Sequence, residues 1–87
     1  MNKPPTNSRD EDITVLTIQK TARQRIVIGH KIFKGVPYVD VRMWVVDASG
    51  EYVRTQRGIS IRHEHLGQVS QGILLAMREL GQGGHHD

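Results

Sequence analysis

The hydrophobic pattern divides the chain into a section of alternating residues and a section with helical spacing. Between residues 13 and 61, short runs rich in β-branched residues are separated by polar and glycine-containing connections, which predicts β-strands. After residue 65 the spacing becomes 3, 4, 4 and 3, which is typical of one helix face, at Leu66, Val69, Ile73, Met77 and Leu80. The predicted fold class is α+β, a twisted antiparallel sheet of four to five strands followed by one C-terminal helix on one sheet face.

The strands are predicted at residues 13–18, 25–34, 38–46, 51–54 and 59–61, with a polar connection at 55–58. In the third strand, strict alternation places Val39 and Val41 on one face and Asp40 and Arg42 on the other. Gly29 inside the second strand suggests a bulge or bend. Turns are predicted at 34–37 and at 47–50, where Asp first and Gly last suit a type I turn.

Length and composition indicate one small domain. Residues 1–12 are polar and predict a disordered tail, 13–80 form the domain, and 81–87 are rich in glycine and predict a flexible tail. No cysteine is present, and no apolar run reaches the length of a membrane span. A signal peptide is not recognisable either, so we expect a cytoplasmic protein, associated with the nucleoid if the host is bacterial.

Charge is concentrated in the predicted sheet. The whole chain carries a formal net charge of +3. From residue 20 to residue 62, however, nine Lys and Arg residues face three acidic residues, an excess of six positive charges. A basic section of this kind favours a polyanionic partner, although a solvated basic surface is the simpler alternative.

Few residues suggest catalysis or metal binding. His63 and His65 are two positions apart, so they would not share a helix face, and no Cys is available as a ligand. The serines lack the surroundings of a nucleophile elbow, and no phosphate-binding loop or dinucleotide fingerprint occurs. We therefore expect no enzyme activity, no metal and no cofactor.

All four aromatic residues lie in the basic section, at Phe33, Tyr38, Trp44 and Tyr52. Cations that follow phosphates and rings that stack on unpaired bases are the requirements for binding single strands. Arg42 and Trp44 share a strand face, and Phe33 is followed directly by Lys34. The alternative is that Trp44 and Phe33 are core residues, as aromatic residues usually are.

Four short motifs resemble one known family. Phe33-Lys34-Gly35, Tyr38-Val39-Asp40-Val41-Arg42, Asp47-Ala48-Ser49-Gly50-Glu51 and Arg57-Gly58-Ile59-Ser60-Ile61 occur here in order and with fitting spacing. They resemble the DNA-binding domain of the transcriptional coactivator Positive Cofactor Four, over residues 25–69. The short N-terminus is similar to that of the compact bacterial and phage-type members.

The resemblance implies a four-stranded antiparallel sheet with a helix, a homodimer formed largely through the helix, and binding of single-stranded DNA with little sequence preference. It implies that Phe33 stacks on bases, that Lys34 contacts phosphate, that Arg42 lines the groove and that Arg57 is the basic residue before Gly-Ile-Ser. Together with the basic and aromatic pattern, the expected nucleic-acid contacts are Phe33, Lys34, Arg42, Trp44, Arg57, Arg25, Lys31 and Arg54. The expected dimer contacts are Leu66, Val69, Ile73, Met77 and Leu80.

Two positions depart from the family pattern. The family's base-stacking tryptophan corresponds to Val45, whereas Trp44 stands one position earlier, and a shift of one residue turns a side chain to the other sheet face. The helix start, which is often Asn-Pro-Glu in the family, is Arg62-His63-Glu64 here and lacks a good N-cap side chain.

The predicted function is sequence-tolerant binding of single-stranded DNA in transcription regulation, replication or repair. Two alternatives remain open from the sequence. One is a dimeric adaptor that recruits a protein of the transcription machinery, which the wide apolar helix face favours. The other is binding of single-stranded RNA, because a stacking groove does not exclude a 2′-hydroxyl.

Overall fold

The computed structural model describes residues 12–83, which form four strands and one helix. The strands are β1 (Asp12–Thr21), β2 (Gln24–Phe33), β3 (Val36–Val46) and β4 (Tyr52–Arg62). A short 3₁₀ turn, His63–His65, leads into helix α1 (Leu66–Gly83). The predicted tail at 1–12 lies outside the described residues except for Asp12, which begins β1, and residues 84–87 also lie outside them.

The strands form one antiparallel sheet in chain order, β1-β2-β3-β4. The predicted α+β class is therefore confirmed, with four strands rather than five. The predicted connection at 55–58 was wrong, because these residues continue β4. They form a bulge: Arg42 pairs with Gly58 and Trp44 with Arg54, so β4 has two more residues than β3 there.

Two glycines allow neighbouring backbones to come close. Gly58 has a φ of +145°, and a Cβ there would lie 2.7 Å from the Cα of Arg42. A Cβ on Gly29 would collide with the carbonyl oxygen of Ile13. The irregularity predicted at Gly29 is present, but the extra residue lies across from it in β1, between Thr14 and Leu16.

Both predicted hairpin turns occur, but the first is shorter than predicted, because Val36 and Pro37 already belong to β3. Lys34 and Gly35 both have positive φ values, 53° and 79°, as a type I′ turn between β2 and β3 requires. Between β3 and β4 the amide of Gly50 donates to the carbonyl of Asp47, at 3.0 Å. The Asp47 carboxylate accepts from the amides of Ser49 and Glu51 and closes the loop.

The register separates the side chains into two chemically different faces, because residues paired across strands share a face. One, the apolar face, carries Ile13, Leu16, Ile18, Ile26, Ile28, His30, Ile32, Val39, Val41, Met43, Val45, Val53, Ile59 and Ile61. The other, the cationic face, carries Arg25, Lys31, Phe33, Tyr38, Asp40, Arg42, Trp44, Tyr52, Arg54, Ser60 and Arg62. The alternation predicted for β3 is thus confirmed and extends to all four strands.

Helix α1 differs from the prediction in its end and its packing. It continues through Gly81 to Gly83, since glycine weakens a helix by only about 1 kcal/mol. It makes no extensive contact with any strand of its own chain, so the prediction that it covers a sheet face was wrong. Its apolar side chains are exposed, and Leu80 is 71% accessible.

The chain by itself lacks a core. Within the described residues no apolar side chain is buried, and the dimensions are 58 × 38 × 20 Å. Among residues 12–83, no helix is both long enough and apolar enough to cross a bilayer.

Candidate nucleic-acid interface

The cationic face is organised in rows that cross all four strands. Direct register partners place one residue of each strand side by side. One row consists of Gln19, Arg25, Trp44 and Arg54, the next of Thr17, Val27, Arg42 and Gly58, and the third of Thr14, Gly29, Asp40 and Ser60. Residues far apart in the chain thereby form one continuous surface.

A carboxylate surrounded by cations lies in the middle of this face. Asp40 is only 8% accessible and is the one buried polar residue in the described chain. Arg42 donates to both of its oxygens, from Nε at 3.1 Å and from Nη2 at 2.9 Å. Arg54 donates from Nη2 at 3.1 Å, Ser60 from its hydroxyl at 2.6 Å, and the Nζ of Lys31 lies 3.9 Å away.

These contacts determine the charge state of the cluster. Burial by itself would raise the pKa of Asp40. Hydrogen bonds from Arg42 and Ser60, and the charges of Arg42 and Arg54, outweigh burial and hold this pKa well below its usual range. The hydrogen bond to Asp40 in turn raises the pKa of Arg42. The Asp40 carboxylate therefore stays ionised next to Arg42, Arg54 and Lys31.

The Asp40 contacts make the three cations unequal. The Arg42 side chain is 12% exposed and uses two nitrogens on Asp40, so little of it is free to meet a ligand. Arg54 is 41% exposed and makes one bond to Asp40, so its guanidinium reaches solvent. Arg54 is therefore the more accessible of the two guanidinium groups.

A second cluster lies at the end of the sheet near the β1–β2 turn. The guanidinium of Arg25 stacks over the ring of Tyr52, 3.8 Å from its centroid. Arg25 Nε donates to Gln19 Oε1 at 2.9 Å, and Gln19 Nε2 donates to the Tyr52 hydroxyl at 2.7 Å. That hydroxyl donates to the carbonyl of Ala22 at 3.2 Å. Arg25 is therefore held in one orientation.

Trp44 stands between two adjoining cavities on the cationic face. One, of about 210 Å³, is lined by Asp12, Ile13, Thr14, Val27, Gly29, Asp40, Trp44 and Arg54. The other, of about 160 Å³, is lined by Thr14, Thr17, Arg25, Val27, Trp44 and Tyr52. They share Thr14, Val27 and Trp44, so they form one trough. Trp44 is half-buried and lines this trough, on the face opposite the apolar residues.

Phe33 and Lys34 lie at the opposite end of the face, at the β2–β3 turn. The Phe33 ring is 49% exposed, and Lys34 Nζ lies 5.4 Å from its centroid. An open ring beside an ammonium group suits stacking on a base next to a phosphate.

Arg57 lies in the bulge of β4, at the outer edge of the sheet, and is exposed. The structure thus places seven predicted contact residues on the cationic face or at its end turn and Arg57 at its edge. Sequence reasoning did not assign roles to Gln19, Tyr52, Asp40 and Ser60. The Asp-x-Arg spacing of 40 and 42 was a signal for one pair, but the Gln19–Tyr52 contact spans 33 positions and left no local pattern.

The predicted dimer residues share one side of α1. Leu66 and Val69 are half-buried, whereas Ile73, Met77 and Leu80 are exposed. Across residues 12–83, His, Cys, Asp and Glu side chains form no group of three that could hold a metal ion.

Comparison with known proteins identifies the family. The sequence pattern described as Transcriptional Coactivator p15 (PC4) matches residues 20–77, about two thirds of the chain. The chain belongs to the PC4 family. The family resemblance drawn from the four motifs is therefore confirmed.

Solved structures agree with this assignment. A PC4 homologue from Burkholderia pseudomallei K96243 is 52% identical in its tetragonal crystal form, with a TM-score of 0.70, over 77% of this chain and 98% of that chain. Its orthorhombic form gives 54% identity, a TM-score of 0.70, and coverage of 78% and 92%. No curated protein sequence matches this chain.

A more distant structure shows the fold alone. It is a bacteriophage T5 homologue of the eukaryotic transcription coactivator PC4, implicated in recombination-dependent DNA replication. It is 20% identical, with a TM-score of 0.61, over 85% of this chain and 82% of that chain.

Proposed function

We propose that this protein binds single-stranded DNA across its cationic face, without strong sequence preference and without catalysis. The observation that carries the proposal is the separation of the two sheet faces. Cations and accessible aromatic rings share one face and its open trough, and the other face is apolar. Phosphates and unstacked bases need this combination of groups.

Family membership supports the same function. PC4 proteins bind single-stranded DNA, and the family is linked to transcription and to recombination-dependent replication. We place this chain at transiently opened DNA in the cytoplasm, where it regulates transcription as a coactivator or assists replication and repair. Phe33, Lys34, Arg54 and Arg57 are the proposed outer contacts.

Fluorescence anisotropy with an end-labelled oligo(dT) strand tests the proposal. The logarithm of the affinity is expected to fall with the logarithm of the salt concentration, with a slope of about −0.7 per neutralised phosphate. Arg57→Ala should weaken binding and reduce this slope by about 0.7. The control, Arg78→Ala in α1, removes the same charge away from the cationic face. Absence of binding at low salt, or displacement of the strand by equimolar duplex, would refute the proposal.

We further propose that the working unit is a homodimer in which a second copy covers the apolar face and α1. An exposed apolar sheet face and an exposed apolar helix stripe in one small chain call for a partner. The same chemistry on both copies makes a symmetric pair the simplest solution. The helix stripe consists of Leu66, Val69, Ile73, Met77 and Leu80. Its first two residues are half-buried and the other three are exposed, which supports an interface centred on the helix.

Light scattering of the purified chain tests the dimer. Ile73→Asp places a charge in the middle of the stripe and should yield monomer or unfolded protein, because burying an unpaired carboxylate is costly. Gln71→Asp adds the same residue on the other side of α1 and should leave the dimer intact. A monomeric wild-type chain at micromolar concentration would contradict the proposal.

Two other kinds of partner, RNA and protein, can be tested in similar experiments. Equal affinity for matched single-stranded RNA and DNA would extend the ligand class to RNA. Leu75 is exposed on the side of α1 away from the stripe, which favours a protein ligand as a second candidate. A stoichiometric protein of the transcription machinery that stays bound after nuclease treatment, and is lost in Leu75→Ser, would support this adaptor role.

A further inference from the structure

The geometry points to a slot for one unstacked nucleobase at the Arg25 end of the cationic face. We propose that a single base inserts into the 160 Å³ cavity between the Trp44 side chain and the layer formed by Arg25 and Tyr52. This inference rests on the proposed binding of single strands. It adds the site where one base is held and the residues that hold it.

The walls of the slot are planar groups in fixed positions. Arg25 and Trp44 are direct partners across β2 and β3, so their side chains lie next to each other on the face. The Arg25 guanidinium carbon lies over the Tyr52 ring, 3.8 Å from its centroid, so Tyr52 covers one side of the guanidinium and a base would approach from the other. Bases stack on guanidinium planes as well as on aromatic rings.

The surroundings of Arg25 hold it in place before a ligand arrives. Gln19 accepts from its Nε and also donates to the Tyr52 hydroxyl, which is itself bonded to the Ala22 carbonyl. Gln19 Nε2 lies 2.6 Å from the Thr21 carbonyl as well, so the amide orientation is determined from two sides. A preorganised wall avoids the entropy cost of ordering these side chains on binding.

The charge of Arg25 is also available to a ligand. Among the described residues, no carboxylate forms an ion pair with it, in contrast to Arg42 and Arg54, which both bind Asp40. A base carbonyl or the phosphate of the same nucleotide can therefore meet a cation that is not already neutralised. A cation without a carboxylate partner among the described residues and the single tryptophan thus lie together.

The floor of the slot suits a base better than a bulky side chain. Val27 supplies an apolar surface, and Thr14 and Thr17 supply hydroxyl groups that can donate or accept hydrogen bonds. Hydroxyl groups that act both ways do not select one base, which fits sequence-tolerant binding. The adjoining cavity on the other side of Trp44 leaves room for the strand to continue toward Arg54.

Because the chain has one tryptophan, its fluorescence reports on this slot directly. Two end-labelled probes of equal length are titrated, oligo(dT) and a strand of abasic sugar-phosphates. Both should bind through phosphate contacts. The affinity of the abasic strand should be lower by about 5-fold to 150-fold, the range expected for the loss of one stacked base. Only oligo(dT) should quench Trp44.

Substitutions of Arg25 and Tyr52 distinguish the contribution of stacking to binding from the contribution of charge. Arg25→Lys keeps the charge but loses the planar surface, so it should reduce the preference for oligo(dT) over the abasic strand by about 5-fold or more while the salt slope stays unchanged. Tyr52→Ala should have the same effect, and Tyr52→Phe, which keeps the ring, should largely retain the preference. Arg78→Lys in α1 is the matched control. Circular dichroism of each variant checks that the sheet remains folded.

The possible outcomes distinguish the slot from the general function. If wild-type protein binds neither probe, single-strand binding itself is refuted, and the slot with it. If both probes bind with equal affinity and Trp44 is not quenched, single-strand binding stands and the slot is refuted. The slot would also be refuted if Arg25→Lys and Tyr52→Ala both kept full quenching of Trp44 and an undiminished preference for oligo(dT). Stacking would then involve Trp44 without the Arg25 layer.

Discussion

At the scale of single residues, Asp40 determines the arrangement of the cationic face. Its carboxylate receives hydrogen bonds from Arg42, Arg54 and Ser60 while it is almost wholly removed from solvent. A buried acid in the middle of the proposed DNA-binding surface would repel phosphate if it were unpaired. Here its charge is used to fix the guanidinium groups around it.

Asp40→Asn should destabilise the protein, because Arg42 and Arg54 lose a charged partner and repel each other. The expected loss in the free energy of unfolding is about 1.5–3 kcal/mol, the range for hydrogen bonds to charged groups. Urea denaturation at one fixed protein concentration measures it. Asp47→Asn is the control, because that half-buried side chain keeps an oxygen that can accept from the amides of the turn. An equal effect of the two substitutions would contradict the structural role of Asp40.

Acid should remove the stabilisation that Asp40 provides. The pKa of Asp40 is lowered in the folded state, so its contribution is complete above the unfolded value of about 3.9 and is lost as the pH falls toward the folded pKa. The thermal midpoint of the wild type should therefore drop below about pH 4. Asp40→Asn should show a smaller drop over the same range, and parallel curves for both proteins would argue against this prediction.

At the scale of elements, the bulge in β4 lets one strand run the full length of the sheet while Arg57 lies at its edge. The Thr55 hydroxyl donates to the Met43 carbonyl at 2.7 Å and accepts from the Arg57 amide at 3.1 Å. A side chain thus satisfies backbone groups that the interrupted ladder leaves free. Gly58 then brings β4 back into register against Arg42.

Gly58→Ala should be strongly destabilising, since the backbone conformation and the contact with β3 both exclude a Cβ. The conformation alone accounts for about 1–3 kcal/mol of the free energy of unfolding. Gly67→Ala, at a helix position with nothing within 4 Å of the new Cβ, should be neutral or up to about 1 kcal/mol more stable. Chemical denaturation of both variants compares them, and a tolerated Gly58→Ala would show that β4 has another path.

At the scale of the whole molecule, the described residues form an open structure, so we expect the single chain to be unstable without a partner. Its radius of gyration is 16.5 Å, whereas a compact chain of this length would have about 12 Å. The apolar face and the helix stripe remain uncovered. Folding and association are therefore expected to be one process.

The thermal midpoint should consequently rise with protein concentration, as mass action requires when only the assembled state is stable. Differential scanning calorimetry over a dilution series measures this dependence. Ile73→Asp provides the comparison, because a chain that no longer associates should lack a cooperative transition. A midpoint that stays constant on dilution would show that the single chain is stable without a partner.

Local sequence determined the elements and the two faces. The period of two in β3, the turns at Lys34-Gly35 and at Asp47–Gly50, and the helical spacing after residue 65 are all properties of neighbouring residues. For this reason the strands, the helix and the separation of Val41 from Arg42 could be predicted without a structure. Local sequence also led to the wrong prediction of a loop at the β4 bulge, because polar residues around Gly58 resemble a connection between strands.

Only the tertiary structure decided which residues meet. Register brings Arg25 beside Trp44 and places Tyr52 under the guanidinium, although Tyr52 is 27 positions away from Arg25 in the chain. Register likewise surrounds Asp40 with Arg54 and Ser60 of another strand, which leaves Arg42 occupied and Arg25 available. Such contacts depend on strand pairing over long separations, and a one-residue slip would abolish them. The residue types were evident from the sequence, whereas the fold decided which cations are held in ion pairs with Asp40 and which are not.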